Sequence, residues 1–521
     1  MDAELTIVGA GSAGAVIASR VTERDDREVL LLEAGPDYPP LTMGLRPAEP
    51  GSAPYPDDNL PADLRDGTRN STVRHDWGLR FCPTPRQSLW DFPRGKVVGG
   101  SSAVNTCIAL RGLPADYDEW EARGLPEWSW ERCRPAFLRL EDDRDRIDEH
   151  HHQGGPLPIR RHGASELEPW QAAFDAACAE LRFPACADHN GPAPRGYGPL
   201  PMNKIAGERM SAARCWLGPA VRRRPNLRIR PRTLVRRVLT ENHRVTGVEV
   251  ETDGRVETIR SARVVLSAGA IMTPAILLRS GIGPRRTVER LGVPLVADLP
   301  AVGARLLDHP GAAIILATRQ YRPHAGVPLL QTMLRYTSAG SSFAGDMQLQ
   351  PGTFVAFPRV TLPGVSLMCS VGKPRGWGTI ELAAADPHEK PRLEGRHLVD
   401  ADDRERAVEA MALAYDLTQT PAMRGMIRYF WPDEATLRDR GRLRAWIWQS
   451  CGSGYHPCGT VPMGREGDEG AAVDQYGRVR GVSGLYVADA SIMPTVPCVN
   501  INVPTLMIGE RFGEWLRVGA I

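Results

Sequence analysis

Apolar and polar positions along this chain fall into blocks whose spacing switches between that of strands and that of helices. Leu5 to Val8 form a short apolar run that leads into Gly9-Ala10-Gly11-Ser12-Ala13-Gly14, after which Ala15 to Val21 continue with small and apolar residues. This order predicts a strand, a tight turn and a helix. A second apolar run, Val29 to Leu32, ends at Glu33-Ala34. Much farther along, Leu227 to Val238 and Arg244 to Glu251 alternate apolar with polar residues across a short turn, the pattern of a hairpin. Arg263 to Leu266 is another apolar strand. It runs into Ser267-Ala268-Gly269-Ala270, and Thr273 to Leu278 begins a helix with Pro274 near its start. The second strand, turn and helix are expected to rejoin the sheet of the first, giving an α/β unit that is discontinuous in sequence.

The segments between these blocks are of other kinds. Gly35 to Pro61 is rich in Gly and Pro and reads as a long surface loop. Arg94-Gly95-Lys96-Val97-Val98-Gly99-Gly100-Ser101-Ser102 leads to Asn105, a glycine loop able to approach a flat or phosphorylated ligand closely. From Pro126 to His152, the spacing of Trp128, Trp130, Phe137 and Leu138 predicts a helix with one packed aromatic face. His150-His151-His152 reads as loop rather than metal site, because three consecutive imidazoles do not easily face one tetrahedral ion. Between about His309 and Leu443 the candidate strands Gly352 to Phe357 and Thr379 to Leu382 precede a helix from Asp402 to Leu417, which predicts a second domain of mixed sheet and helix. A ligand is expected between the two domains.

The first turn carries recognisable chemistry. Gly9 permits the tight turn, Gly11 leaves room for a pyrophosphate beside the backbone, and Gly14 lets the helix pack closely on the sheet. Free amides at the helix start can face the phosphate anion. Glu33 stands nineteen residues beyond Gly14, where a carboxylate can accept hydrogen bonds from the hydroxyls of an adenosine ribose. These residues predict a bound dinucleotide, and they fit a nicotinamide or a flavin equally.

Composition narrows the remaining classes. The 521 residues are 42% hydrophobic and 24% charged, a balance that supports large buried cores. Lys+Arg 64 against Asp+Glu 62 leaves a net charge of +2, with no cationic field to hold nucleic acid. Apolar runs such as Gly311 to Ala317 are much shorter than the ~20 residues of a spanning helix. The acidic start Met1-Asp2-Ala3-Glu4 is unlike an export signal, so a cytoplasmic protein is expected. The ten cysteines form no CxxC pair, and Cys451 and Cys458 match neither a zinc nor a thioredoxin-like spacing, which predicts free thiols and no metal.

Over essentially its whole length the chain resembles the glucose-methanol-choline (GMC) family of flavoprotein oxidoreductases. The resemblance rests on Gly9 to Gly14 with Glu33, Arg94 to Asn105, Ser267 to Pro284, Tyr455-His456-Pro457-Cys458-Gly459-Thr460, Leu485 to Ser491, and Asn500-Ile501-Asn502-Val503-Pro504-Thr505. It implies an α/β protein: a Rossmann-like FAD-binding domain and a second, α+β substrate domain on a largely antiparallel sheet. The FAD-binding domain is expected from residues 1–155, 196–308 and 450–521, and the substrate domain from 156–195 and 309–449. By the resemblance His456 is the active-site histidine and Asn502 its partner. The cofactor-facing set implied is Gly9, Gly11, Ser12, Ala13, Gly14, Glu33 and Ala34 in the first turn and strand end, with Arg94, Val98, Gly99, Gly100, Ser101 and Asn105 in the loop along the flavin. Val235 is implied on the adenine side, Ala268 and Gly269 in the second turn, Asp489 and Ala490 near the pyrophosphate and ribityl chain, and Asn502, Val503 and Pro504 at the last helix.

The resemblance further implies oxidation of a small-molecule alcohol to a carbonyl compound. His456 would take the hydroxyl proton, Asn502 would hold the oxygen, and flavin would accept the hydride. A dehydrogenase passing electrons to an external carrier is the first expectation. An oxidase forming hydrogen peroxide, a hydroxynitrile-cleaving lyase and a noncatalytic flavin-binding protein are the alternatives. Members that attach FAD covalently carry a histidine where this chain has Val104, so the cofactor is expected to be noncovalent. Denaturation followed by filtration should release free yellow flavin; flavin retained on the unfolded polypeptide would contradict this.

Overall fold

Strands that are apolar on both faces belong in the middle of a covered sheet. The computed structural model, which describes residues 2–24, 26–40, 59–71, 74–192, 194–323, 326–357, 360–362 and 364–521, places them there. Most of the Gly35 to Pro61 segment lies outside the described residues. Asp2–Val8 pairs in parallel with Val29–Leu32 on one side and with the end of Arg255–Leu266 on the other. The full order of the first sheet is Leu227–Arg230, Val29–Leu32, Asp2–Val8, Arg255–Leu266, Arg244–Thr252, Thr233–Glu241, with Leu485–Val487 also parallel to Arg255–Leu266. Three parallel neighbours from distant parts of the sequence therefore end at one edge, at Val8, Leu266 and Val487.

The expected hairpin is only partly formed as such. Leu227–Arg230 adds in parallel to Val29–Leu32, and only Thr233–Glu241 pairs antiparallel with Arg244–Thr252. The break falls at Arg232, whose φ is 52°. Its N–H donates to the Gly35 carbonyl, and that of Thr233 to the Glu33 carbonyl, so the chain crosses the end of the Glu33 strand rather than running on.

The second sheet runs Ile427–Trp431, Pro310–Thr318, Val365–Val371, Met347–Gly352, Thr332–Tyr336, Gly196–Pro199, and its neighbours along this order are antiparallel. Pro310–Thr318 alternates between buried and partly exposed positions. Ala312, Ile314 and Leu316 pack into a core with Ala407, Met411 and Ala414 of helix Ala401–Gln419 and with Trp170 and Phe174 of helix Pro169–Glu180. The intervening residues face the other way, toward the first sheet's carboxyl edge. The expected strand Gly352 to Phe357 divides into the end of Met347–Gly352 and a separate Val355–Phe357, and Thr379–Glu381 belongs to a small four-stranded sheet.

The aromatic segment forms helix Trp130–Leu140 and then a strand from Glu141 to Asp143, with Trp128 fully buried. His151 lies in a buried ion network, 3.1 Å from Asp143 and 2.8 Å from Asp188, with Arg161 bonded to both carboxylates. Burial would lower its pKa, but hydrogen bonds to Asp143 and Asp188 push it up to about 10. Among the described residues, no helix is long and apolar enough to cross a membrane.

The last helix, Asn502–Val518, packs against the first, Ser12–Val21. The contact is close because Gly509 and Gly513 lie on one face of it. A Cβ at Gly509 would stand 2.8 Å from the Ala13 carbonyl oxygen, and one at Gly513 would stand 2.7 Å from Arg20 Cβ. This pairing sets where Asn502 begins its helix relative to the Gly9 turn. Gly509→Val should cost about 1–3 kcal/mol through overpacking, read as a lower Tm of the holoprotein. An unchanged Tm would show that the helix pair has room to spare.

Candidate active site

The carboxyl ends of the central parallel strands converge through backbone hydrogen bonds. Gly9 N–H donates to the Leu32 carbonyl at 2.8 Å, Ser267 N–H to Val8 at 2.7 Å, and Ala488 N–H to Leu266 at 2.9 Å. The Gly9 turn, Glu33, the Ala268-Gly269 turn and Asp489 therefore surround one mouth. Gly9 has φ 99°, and a Cβ there would meet the Ser267 carbonyl oxygen at 2.4 Å; at Gly14 it would lie 1.9 Å from the Gly9 oxygen. At Gly11 it would meet only Gly100 Cα, at 3.8 Å. Gly11 thus caps the first helix with its face open to the cleft and no side chain on the free amides. Glu33 accepts from Ala10 N–H at 3.0 Å and Gly35 N–H at 2.8 Å, yet burial raises its carboxyl to about 7. Asp489 accepts from Gly269 N–H at 2.8 Å and the Thr273 hydroxyl at 2.6 Å.

The cleft between the sheets has a volume of about 510 Å³. Of the residues singled out in the sequence, Gly9, Gly11, Ser12, Ala13, Glu33, Ala34, Arg94, Gly100, Ser101, Asn105, Val235, Ala268, Gly269, His456, Asp489, Ala490 and Asn502 line it. Gly14, Val98, Gly99, Val503 and Pro504 do not. Val98 packs into the core with its N–H on the Pro36 carbonyl, Gly99 donates to the Ala10 carbonyl behind the turn, and Val503 and Pro504 are buried in the first turn of the last helix.

At the other end of the cleft stands a pair of histidines. His456 Nδ1 lies 2.8 Å from Nδ1 of His309, and His309 Nε2 lies 3.0 Å from the Pro497 carbonyl oxygen. On its far side His456 Nε2 is 3.0 Å from the Asn500 side-chain nitrogen. Burial lowers the pKa of both rings, that of His456 well below 6.5 with His309 and Arg94 adding to the effect, so both are neutral near pH 7. A carbonyl only accepts, so the His309 proton sits on Nε2 and its Nδ1 presents a lone pair. The short contact then requires the His456 proton on Nδ1. His456 Nε2 is left bare, accepting from Asn500, and faces the cleft.

Several contacts hold this arrangement in place. The buried Asp308 carboxylate accepts the N–H groups of His309 and His456, both at 2.8 Å, and the Ser453 hydroxyl. Tyr455, immediately before His456, takes φ 61°, with its N–H on Ser453 Oγ at 2.7 Å and its carbonyl accepting from Arg94 at 2.9 Å. A Cβ at Gly454 would come within 2.9 Å of His456 Nδ1. Pro497 is bracketed by Lys373, which donates to the Val496 carbonyl at 3.0 Å, and by Asp116, whose carboxylate accepts from Cys498 N–H. Lys373 and Asp116 are themselves 3.0 Å apart.

Asn500, rather than Asn502, is therefore the residue bonded to His456. Asn502 is the first residue of the last helix, and its side-chain oxygen accepts from the Ser12 hydroxyl at 2.9 Å, which turns the amide toward the Gly9 turn. Its Nδ2 and the Asn500 Oδ1 are buried without partners while both residues line the cleft. His309 and Asn500 are the site residues that sequence reasoning missed. Asn500 lies in the same motif as Asn502, two positions before it; His309 directly precedes the strand Pro310–Thr318, with no local pattern to mark it.

A family model described as GMC oxidoreductase matches residues 3–311, and a second of the same description matches 374–509. The chain belongs to the GMC oxidoreductase family. Among its relatives, a 5-(hydroxymethyl)furfural oxidase of Methylovorus sp. (strain MP688) is 33% identical, with 98% of each chain covered. An oxygen-dependent choline dehydrogenase of Photobacterium profundum is 30% identical over 98% of this chain and 92% of that one. The crystal structure of pyridoxine 4-oxidase from Mesorbium loti superposes with a TM-score of 0.88 at 29% identity, covering 98% of both chains. As a GMC oxidoreductase the protein is an enzyme that uses FAD, held noncovalently. The structure accommodates that cofactor: the Gly11 face is open, the first helix has free N-terminal amides, Asn502 Nδ2 lacks a partner, and Val104 puts only carbon at the cleft wall.

Proposed function

We propose that the enzyme oxidises an alcohol to its aldehyde or ketone, with His456 Nε2 as the base that takes the hydroxyl proton. The observation that carries this reading is the hydrogen-bonded series from Pro497 through His309 to His456, which leaves an unprotonated imidazole nitrogen beside the Asn500 amide at the cleft. Bound flavin supplies the hydride acceptor. The Gly9 turn and the free amides of the first helix would hold its pyrophosphate, Glu33 its adenosine ribose, and Asn502 a polar edge of its ring system.

A hydroxyl entering the histidine end of the cleft can take the place of the Asn500 amide at His456 Nε2, donating its proton there while its oxygen accepts from Asn500 Nδ2. As the proton moves to Nε2, the imidazolium keeps its Nδ1–H bond to neutral His309, so the new charge is met by a lone pair already in place. Asn500 holds the oxygen as it gains negative charge, a contact of this sort being worth about 3 kcal/mol in a transition state. Asp308 and Arg94 keep the loop before His456 from relaxing. The reading concerns this half of the reaction, which an oxidase and a dehydrogenase share; peroxide formation by the reduced enzyme in air distinguishes the two.

Anaerobic stopped-flow mixing with alcohols should bleach the flavin, and His456→Ala should slow that step by about 10² to 10⁴ while FAD stays bound. Near-normal reduction in the variant would remove His456 from the role. Asn500→Ala should also slow reduction with flavin retained, whereas Asn502→Ala should weaken FAD retention more than it slows reduction; the reverse pattern would restore Asn502 as the partner of His456. Because the His456 pKa is lowered, its proton-accepting form persists as pH falls through the ordinary histidine value of ~6.5 and is lost only well beneath it. The reduction rate constant should stay level from about pH 8 to about pH 6. A loss of rate centred near 7 would contradict a neutral, buried base.

A further inference from the structure

A choline dehydrogenase and a 5-(hydroxymethyl)furfural oxidase stand at comparable distance from this chain, so the family leaves the charge and shape of the substrate open. The second sheet's wall decides between them. Strand register sets its side chains in rows: Gly311 lies beside Ser370, which lies beside Gln348, and Ala313 lies beside Met368, which lies beside Gln350. All six line the cleft. Gly311 also pairs with Gly452, close before His456, so the first row is at the base and the second is one step outward. Ile315 follows and pairs with Trp431, whose ring stands 5.2 Å from that of Trp446 at 81°. Four residues of strand, from Gly311 to Ile315, advance about 13 Å. The wall therefore grades from polar and small at the histidines, through a thioether and an amide, to two indoles at the mouth.

Two properties of this wall matter. Among the described residues that line the cleft, the charged ones are Glu33, Arg94, Arg279 and Asp489, and none of them is on the second sheet. A cationic substrate would leave water for a wall with no carboxylate and would face Arg94 beside His456, while an anionic one finds no cation on the second sheet, Arg94 being held by the Pro93 and Tyr455 carbonyls. The indoles could attract a cation only at the mouth, away from His456. The second property is shape. Gly311 and Ala313 leave depth beside the sheet, while Met368 and the perpendicular Trp431–Trp446 pair offer the surfaces that aromatic rings pack against. The Gln350 amide and the Ser370 hydroxyl, which also line this part of the cleft, can serve a neutral polar substituent.

We propose that the substrate is an uncharged aromatic alcohol, its carbinol at His456 and its ring lying along Ala313, Met368 and Gln350 beneath the Trp431–Trp446 mouth. This rests on the reading that the cleft oxidises alcohols. Anaerobic reduction of the holoenzyme by benzyl alcohol, choline and glycolate tests it. Benzyl alcohol should give the largest second-order rate constant, exceeding each of the others by about 30-fold or more. Choline or glycolate matching it would overturn the proposal while leaving alcohol oxidation intact, as would reduction by aliphatic alcohols alone. Bleaching by no alcohol would overturn both readings. Trp446→Leu should raise the concentration of benzyl alcohol needed for half-maximal reduction by about 10-fold with the pH profile unaltered. Met368→Glu should shift the benzyl alcohol to choline ratio toward choline. A ratio and a half-saturation both unmoved by these variants would count against a ring in that place.

Discussion

The active site depends on the direction of one hydrogen bond, from His309 Nε2 to the Pro497 carbonyl. A carbonyl oxygen has no proton to give, so it fixes the tautomer of the first histidine, and the contact of 2.8 Å between the rings passes that choice to the second. Reversing the series would oppose two lone pairs or two protons inside a buried region, where an unmet polar group costs about 1–3 kcal/mol. The protonation of His456 Nε2 is thus set by an atom of the main chain on the far side of its neighbour. Burial, which keeps both rings neutral, is what allows the rule to operate at all.

Much of the surrounding structure can be understood as support for that bond and its alignment with the nucleotide cradle. Lys373 and Asp116 tie down the residues on either side of Pro497, and Asp308 ties the two histidines together through their backbones. The last helix leaves the same loop and packs on the first helix through Gly509 and Gly513. The two ends of the chain are thereby joined, and Asn502 reaches Ser12 in the Gly9 turn. One loop consequently serves both ends of the cleft: Asn500 turns to His456, Asn502 to Ser12 in the Gly9 turn.

The parts of this arrangement legible in the sequence were those with local causes. Gly9, Gly11 and Gly14 are required by contacts within a single turn, and Glu33 by a strand that follows directly. Apolar spacing and turn residues also marked the return of the Arg263 to Leu266 strand to the first sheet, whereas the antiparallel second sheet was implied by the family resemblance. What escaped detection depends on long-range contacts. His309 has its role from a carbonyl 188 positions away, and no spacing rule connects them. Asn500 and Asn502 differ by where the last helix starts, a boundary that neither residue marks by itself. Leu227–Arg230 alternates like a hairpin strand, and only the left-handed turn at Arg232 sends it to the opposite side of the sheet.

Neutron diffraction from crystals of the oxidised holoenzyme, exchanged into deuterated solvent near neutral pH, tests the central claim most directly. The account predicts deuterium on His309 Nε2 and His456 Nδ1, with none on His456 Nε2. Deuterium on His456 Nε2, with its Nδ1 bare or with the ring doubly labelled, would contradict it.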